Sequence, residues 1–226
     1  DLFKKLSVQD ESEFICFHAR CSSYLDNVFP KRNWSYHNYR DSNIHNYLLA
    51  AEKLVDRGYY LIRVGAHVTE KINLDNPKII DYASNGMRSE FQDIYLTANC
   101  KFYIGSPSGI SIVPELFKRP IVHVNWLHLP NIYTWLNNSL IIFKKLYLRE
   151  ENRFLTFSEL IHLDVGLFAH SQEYIDRGVE VIENTSNEIL DVVIEMDERL
   201  DGKWESTDED EELQKIHEGD NTDTNK

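Results

Sequence analysis

Three short groups of residues carry side chains suited to gripping an anion: His18-Ala19-Arg20, Arg63-Val64-Gly65 and Gly105-Ser106-Pro107-Ser108-Gly109. Each ends an apolar run (from Phe14, Tyr59 and Lys101) that reads as a buried strand. A guanidinium presents two parallel donors to a phosphate. Glycines let backbone approach a ligand, serine hydroxyls donate, and the unpaired N–H groups of a following helix favour negative charge. If the three runs are strands of one parallel sheet, these groups meet at its carboxyl edge, where such sheets bind ligands. The chemistry predicted is the holding of a diphosphate and stabilisation of the charge it gains on leaving.

The elements that position these groups follow from the pattern around them. Cys100 to Val124 reads as a strand (Lys101 to Ile104), the Gly105 to Gly109 loop, a helix over about 111–118 and a second strand opened by Pro120. Pro114 is tolerated only in the first turn of that helix, which favours Ser111 over Ser108 as its N-cap. A Ser-capped connection with no ligand is the plainer reading of this unit. For Arg20 the plainer reading is a surface ion pair, and for His18 a hydrogen-bonded core histidine. Residues 21–41 read as a long loop rich in polar aromatics (Tyr24, Trp34, Tyr36, His37, Tyr39) and ending in Arg40-Asp41, a composition suited to a binding surface. Asp41, Ser42 or Asn43 caps a helix running from Ile44 to Arg57 and ended by Gly58.

Lys78 to Tyr82 reads as a third strand, and Ser89 to Ala98 as a helix with a Ser cap. Beyond Val124 the pattern predicts a loop to Asn137 containing Trp126, His128, Tyr133 and Trp135. It then gives a strand over Ser139 to Leu148 carrying Lys144 and Lys145, helices at 156–162, 171–178 and 186–200, with Ser186 capping the last, and a final strand from Glu180 to Thr185. Strands spaced by helices predict right-handed parallel crossovers: an α/β, Rossmann-like, mostly parallel sheet with helices on both faces.

The 226 residues, 42% of them hydrophobic, suffice for one core, read as a domain over 1–204 and an acidic tail over 205–226. That tail holds nine acidic and two basic residues of a chain with net charge −13, and reads as a solvated segment with a short helix through His217. So acidic a chain argues against a nucleic-acid partner. Cys16, Cys21 and Cys100 lack metal-ligand spacing and read as reduced thiols of a cytoplasmic protein. Asn33, Asn137 and Asn184 match the glycosylation pattern by chance on this reading. No apolar run is long enough to span a bilayer. No dinucleotide or Walker glycine pattern, metal-ligand cluster or nucleophile elbow is present, so no metal or cofactor is expected, and a nucleoside-diphosphate sugar fits as substrate.

Asp93 through Pro120, with Phe-Tyr-Ile-Gly-Ser-Pro-Ser-Gly and Pro-Glu-Leu-Phe-Lys-Arg-Pro, resembles the donor-binding half of GT-B glycosyltransferases. The nearest likeness is to bacterial surface-polysaccharide glycosyltransferases, and more distantly to fucosyltransferases, whose His-x-Arg strand end is matched by His18-Ala19-Arg20. The likeness covers about Phe14 to Val124, including His37 to Asp41. It implies a GT-B C-terminal-type domain in which Arg20 holds the donor β-phosphate, Ser106 and Ser108 with Gly105 and Gly109 the diphosphate, and Glu115 the ribose hydroxyls. Tyr39, Arg40, Arg63 and Gly65 belong to the same binding set.

The implied reaction is metal-independent transfer of a hexosyl or fucosyl group to a surface-glycan or lipid-linked acceptor, with Asp41 or His18 as general base. The chain would then work in the cytoplasm or at the periphery of the inner membrane. Two departures stand out: Cys21 occupies the place of a second arginine, which weakens a GDP-fucose donor, and too little chain precedes Phe14 for an acceptor domain. The start without Met agrees with a segment of a longer protein. Alternatives are a nucleotide-sugar epimerase, for which only Asp93 and Glu90 offer further carboxylates, and a non-catalytic nucleotide- or glycan-binding module.

Overall fold

The computed structural model describes residues 2–132, 138–208 and 210. The readings of Tyr133, Trp135 and Asn137, and of the tail from 211 with its helix through His217, lie outside the described residues. The elements in chain order are α1 (Leu2–Lys5), β1 (Phe14–His18), α2 (Ser23–Val28), α3 (Leu48–Asp56), β2 (Tyr60–Arg63), β3 (Ile79–Ile80), α4 (Glu90–Asn99), β4 (Tyr103–Gly105), α5 (Ile112–Leu116), β5 (Ile121–Trp126), β6 (Ser139–Phe143), β7 (Lys145–Leu148), β8 (Arg153–Phe154), α6 (Phe157–His162), α7 (Ser171–Asp176), β9 (Val179–Ile182) and α8 (Ser186–Leu200). The chain divides into two compact units, Asp1–Ile194 and Glu195–Lys226.

In the first unit β3-β2-β1-β4-β5-β6 form a sheet in that order, and all the pairings are parallel. This is the Rossmann order, in which the direction of winding reverses between the first and fourth strands. Right-handed crossovers put α3 on one face and α4 and α5, which pack on each other, on the opposite face. Both faces are therefore covered, which is why β1, β2, β4 and β5 are buried at every position. One core cluster joins Phe14, Cys16, Tyr60, Ile62, Leu96 and Tyr103 across the sheet and α4.

A second, antiparallel sheet has the order β8-β7-β9. The stretch read as one strand from Ser139 to Leu148 is divided: β6 belongs to the first sheet, β7 to the second, and Lys144 is the single residue between them. The last predicted strand, β9, pairs with β7 and not with the parallel sheet. Leu127, Leu146, Val165, Tyr174 and Val179 form the core of this smaller layer. Asn125 and Asn184 staple the two sheets reciprocally, each side-chain oxygen accepting from the other's backbone N–H at 2.6 and 2.7 Å. Asn184 is thus buried and engaged, consistent with a chance glycosylation match.

Residues 21–41 contain α2 and a 3₁₀ segment, Ser35–Arg40, where the composition suggested only loop. The helix expected from Ile44 opens with a 3₁₀ turn capped by Asn43, whose side chain accepts from His45 N at 2.9 Å, so the capping role falls to neither Asp41 nor Ser42. A Thr185-Glu188 capping box opens α8, one residue before the expected Ser186. Within the second unit Glu195 pairs with Arg199 at 2.7 Å, the Arg199 guanidinium lies over the Trp204 ring, and Thr207 bonds Asp210. Among the described residues no helix is long and apolar enough to cross a membrane.

Candidate functional site

The reversal point of the sheet lies between β1 and β4, where His18 is paired in register with Gly105. The first two anion-gripping groups and the Gly/Ser loop therefore do share one edge. Past β1 the chain turns at Arg20, whose backbone N–H donates to Ser106 Oγ at 2.8 Å. Ser42 Oγ donates to the same oxygen at 3.2 Å, and Ser42 N–H bonds Arg20 O at 2.9 Å. Ser106 is fully buried, so its hydroxyl serves this internal knot and not, as its sequence position implied, a ligand.

Arg20 is 8% exposed, and its guanidinium donates to Asp41 Oδ1 in an ion pair and to His37 Nδ1 at 3.1 Å. Burial pushes the Asp41 carboxyl up from its ordinary value, against the pull of Arg20, Lys144 and Arg40. Lys144 Nζ donates to the carbonyls of Tyr39, at 2.9 Å, and of Asp41. Burial brings its pKa down to about 8. Tyr39 is fixed from the other side by its hydroxyl on His128 Nε2 at 2.6 Å and its ring against Tyr174. The 3₁₀ segment that carries Tyr39 and Arg40 is thus clamped between the two sheets.

A cavity of ≈ 240 Å³ opens beside this knot. Arg40, the Pro107 to Gly109 loop, Ser111, Ile112 and Glu115 line it from one side, and Trp126, Leu127, His128 and Asn131 from the other. It lies past the carboxyl ends of β4 and β5, as expected for this topology. Trp126 completes β5, so the strand runs two residues beyond its predicted end at Val124. His128, at φ 76°, turns the chain toward the cavity. Ser108 occupies the position before the first helical turn, and Ser111, expected as N-cap, is already helical, its hydroxyl donating to Ser108 O at 2.7 Å. Pro114 sits in the first turn of α5, as required, but α5 is five residues long. So short a helix contributes little dipole, and Arg40 and the loop N–H groups must carry the attraction for an anion.

The glycines divide by role. A Cβ on Gly105 would meet the Tyr103 ring at 2.7 Å, and one on Gly65, at φ +142°, would meet His18 Nδ1 at 2.9 Å. Both are required by packing. Gly109 has open space around it and borders the cavity, so it alone of the three can admit a ligand to its backbone.

His18 Nδ1 donates to Val64 O at 2.9 Å, which fixes the tautomer and leaves Nε2 as an acceptor. Burial, then the charges of Arg63 and Arg20, bring its pKa down to about 4, so the ring is neutral at neutral pH. Arg63, expected to hold a phosphate, is 2% exposed and committed to Glu70 O at 2.6 Å and to Asp81 at 3.3 Å.

Neither a protein-family model nor a curated protein matches the sequence. Several solved structures are similar to it in part. Three of them are a dodecameric iron-containing glycosyltransferase, TibC, from enterotoxigenic E. coli H10407 (TM-score 0.39, 16% identity, 58% of this chain and 33% of that one), the same protein described as a heptosyltransferase in complex with ADP-D-beta-D-heptose (0.39, 16%, 58% and 32%), and E. coli ADP-heptose lps heptosyltransferase II (0.37, 20%, 62% and 41%). The chain thus spans between a third and about two-fifths of their length.

Asp93 pairs with Arg88 at 2.7 Å and Glu90 lies exposed on α4; neither lines the cavity, so neither adds to Glu115 the further carboxylate an epimerase would need there. Among the described residues no three His, Cys, Asp or Glu side chains gather to hold a metal ion. Trp126 to His128, given no role in the predicted site, line the cavity, while Ser42, His37 and Lys144 hold Arg20, Ser106 and Asp41 in the knot beside it. Only the polar aromatic composition of 34–39 signalled any of them.

Proposed function

We propose that this chain is the donor-binding part of a GT-B-type glycosyltransferase that transfers a sugar from a nucleoside diphosphate to a surface-glycan or lipid-linked acceptor without a metal. The observation that carries this reading is the cavity itself, which unites a guanidinium (Arg40), a serine loop (Ser108, Gly109), a half-buried carboxylate (Glu115) and an indole (Trp126). A phosphate, a sugar diol and a base ask for that combination.

On this reading Glu115 accepts from the ribose hydroxyls, while Arg40 and the Ser108-Gly109 backbone meet the phosphates. Arg20, oriented by Asp41 and His37, lies behind them and stabilises the diphosphate as the bond from its oxygen to the sugar breaks. The acceptor hydroxyl attacks the anomeric carbon and gives its proton to a base. His18 suits that role better than Asp41 on geometry, because its Nδ1 is pinned and Nε2 has no partner among the described residues, whereas Asp41 is engaged by Arg20. Arg63 contributes its field and holds the β2 edge through Asp81.

Titration calorimetry of the chain against UDP, GDP, CMP and ADP tests the reading. Saturable binding of a nucleoside diphosphate at one site, with no such binding by an Arg40→Ala, Glu115→Ala double variant, supports it. Absence of binding to all four nucleotides rejects it.

A further inference from the structure

His123 lies in the middle of β5, in register with Gly105 on one side and Ile141 on the other, and is fully buried. Among the described residues neither of its ring nitrogens has a hydrogen-bond partner. Its only aromatic neighbour among the described contacts is the Trp126 ring, at 4.8 Å edge-on. A buried imidazole with neither nitrogen satisfied is costly, and an apolar residue of the same size would pack there without that cost. Its Nε2 stands 3.9 Å from Glu115 Oε1, about 1 Å beyond a hydrogen bond. Glu115 in turn lines the cavity.

We infer that His123 is the positioning residue of the site: when a ligand diol engages Glu115, the carboxylate draws onto His123 Nε2–H, and that bond fixes the geometry by which a ribose is told from a deoxyribose. The inference rests on the proposed nucleotide site and adds a buried determinant of sugar selectivity within it. In its neutral form the ring donates from Nε2 to one carboxylate oxygen, leaving the other to accept from the 2′- or 3′-hydroxyl. Glu115 lines the cavity with its side chain 15% exposed, so one face of the carboxylate meets the cavity while Oε1 lies toward His123. A carboxylate fixed from behind discriminates more sharply than one free to rotate toward solvent, because loss of the ligand hydroxyl then leaves a group that cannot turn away to find water.

The test compares ADP, GDP and UDP with their 2′-deoxy and 3′-deoxy counterparts by calorimetry on the full chain. Wild type is expected to prefer the ribose form of its nucleotide by about tenfold, the effect of one hydrogen bond to a charged group. His123→Phe and Glu115→Gln each reduce that preference to within about twofold, and the double variant loses no more than either single one, because the two residues act as a unit. His123→Asn, which keeps a donor, recovers part of the preference. A His123→Phe variant that retains the full ribose preference overturns the inference while leaving the nucleotide site standing. If no nucleotide binds wild type, the site reading fails and the inference fails with it. Should the buried substitution prevent folding, the wild-type chain still decides the matter: the His123 imidazole ¹⁵N signals shift on adding the ribonucleotide but not its 2′,3′-dideoxy form, and equal shifts for both overturn it.

Discussion

The backbone N–H of Arg20 donates to the hydroxyl of Ser106 at 2.8 Å, tying the end of β1 to the start of the loop after β4 at the point where the sheet reverses its winding. Arg20 and Ser106 are 86 positions apart in the chain, and this bond sets how the guanidinium of one faces the loop of the other.

Ser106→Ala removes an acceptor from two donors, Arg20 N–H and Ser42 Oγ, inside a fully buried knot. Stability should fall by about 1–3 kcal/mol, read from urea unfolding. A Ser108→Ala variant, altered at the cavity edge, should unfold at nearly the wild-type midpoint. Equal midpoints for Ser106→Ala and wild type would contradict the role given to the knot.

Arg20→Ala should weaken nucleoside diphosphate binding by about 1.5–3 kcal/mol, the range for a hydrogen bond to a charged group. Arg20→Lys should not restore it, since an ammonium cannot hold Asp41 and His37 together as the two ends of the guanidinium do. A dissociation constant unchanged in the alanine variant would make Arg20 a purely structural residue.

Gly65→Ala sets a Cβ at 2.9 Å from His18 Nδ1, on backbone at φ +142° that side chains rarely adopt. The expected loss of stability is about 1–3 kcal/mol. If His18 is the base, turnover on any donor that supports it should drop further than nucleotide affinity does, because the ring is displaced and the cavity is not.

Two buried neutral histidines contribute to the pH dependence of stability, in the same sense as His37 and His128, whose pKa burial also lowers. His18 and His123 each have a pKa near 4 in the folded chain against 6.5 in the unfolded one, in both cases chiefly through burial. Between those values the unfolded chain binds the more protons, so their contribution is complete above pH 6.5 and is lost as pH falls toward 4, on the order of 3 kcal/mol each. The carboxyls of Asp41, Asp93 and Glu115, raised by burial, act in the opposite sense just above their ordinary values. Urea midpoints from pH 7 to 4 should therefore fall less steeply for His123→Phe than for wild type. Parallel curves would show that His123 is not buried as a neutral ring.

The parallel sheet was legible because strands buried on both faces leave unbroken apolar runs, and because Arg20, Arg63 and Gly105 mark where three of them end. The split between β6 and β7 was not legible: Ser139 through Leu148 reads as one strand, and only the tertiary position of Lys144 turns it from one sheet into the other. Within the site, the local chemistry of a residue type was easier to read than its partner. Arg63 carries the same signal as Arg20, yet Asp81, 18 positions further on, claims its guanidinium. Ser106 and Ser108 are alike in sequence, while burial gives one to the protein and leaves the other at the cavity. His123 gave no signal, because a histidine inside an apolar strand looks the same whether or not anything meets its nitrogens.

The clamp on Tyr39 and Arg40 has a thermodynamic corollary. Lys144 from beneath, His128 at the hydroxyl and Ser171 Oγ at the Tyr39 amide hold this stretch before any substrate arrives. Recognition then requires little further loss of chain freedom, so association should be fast and only weakly opposed by entropy, the signature of a lock cut in advance and not of a loop that folds around its key.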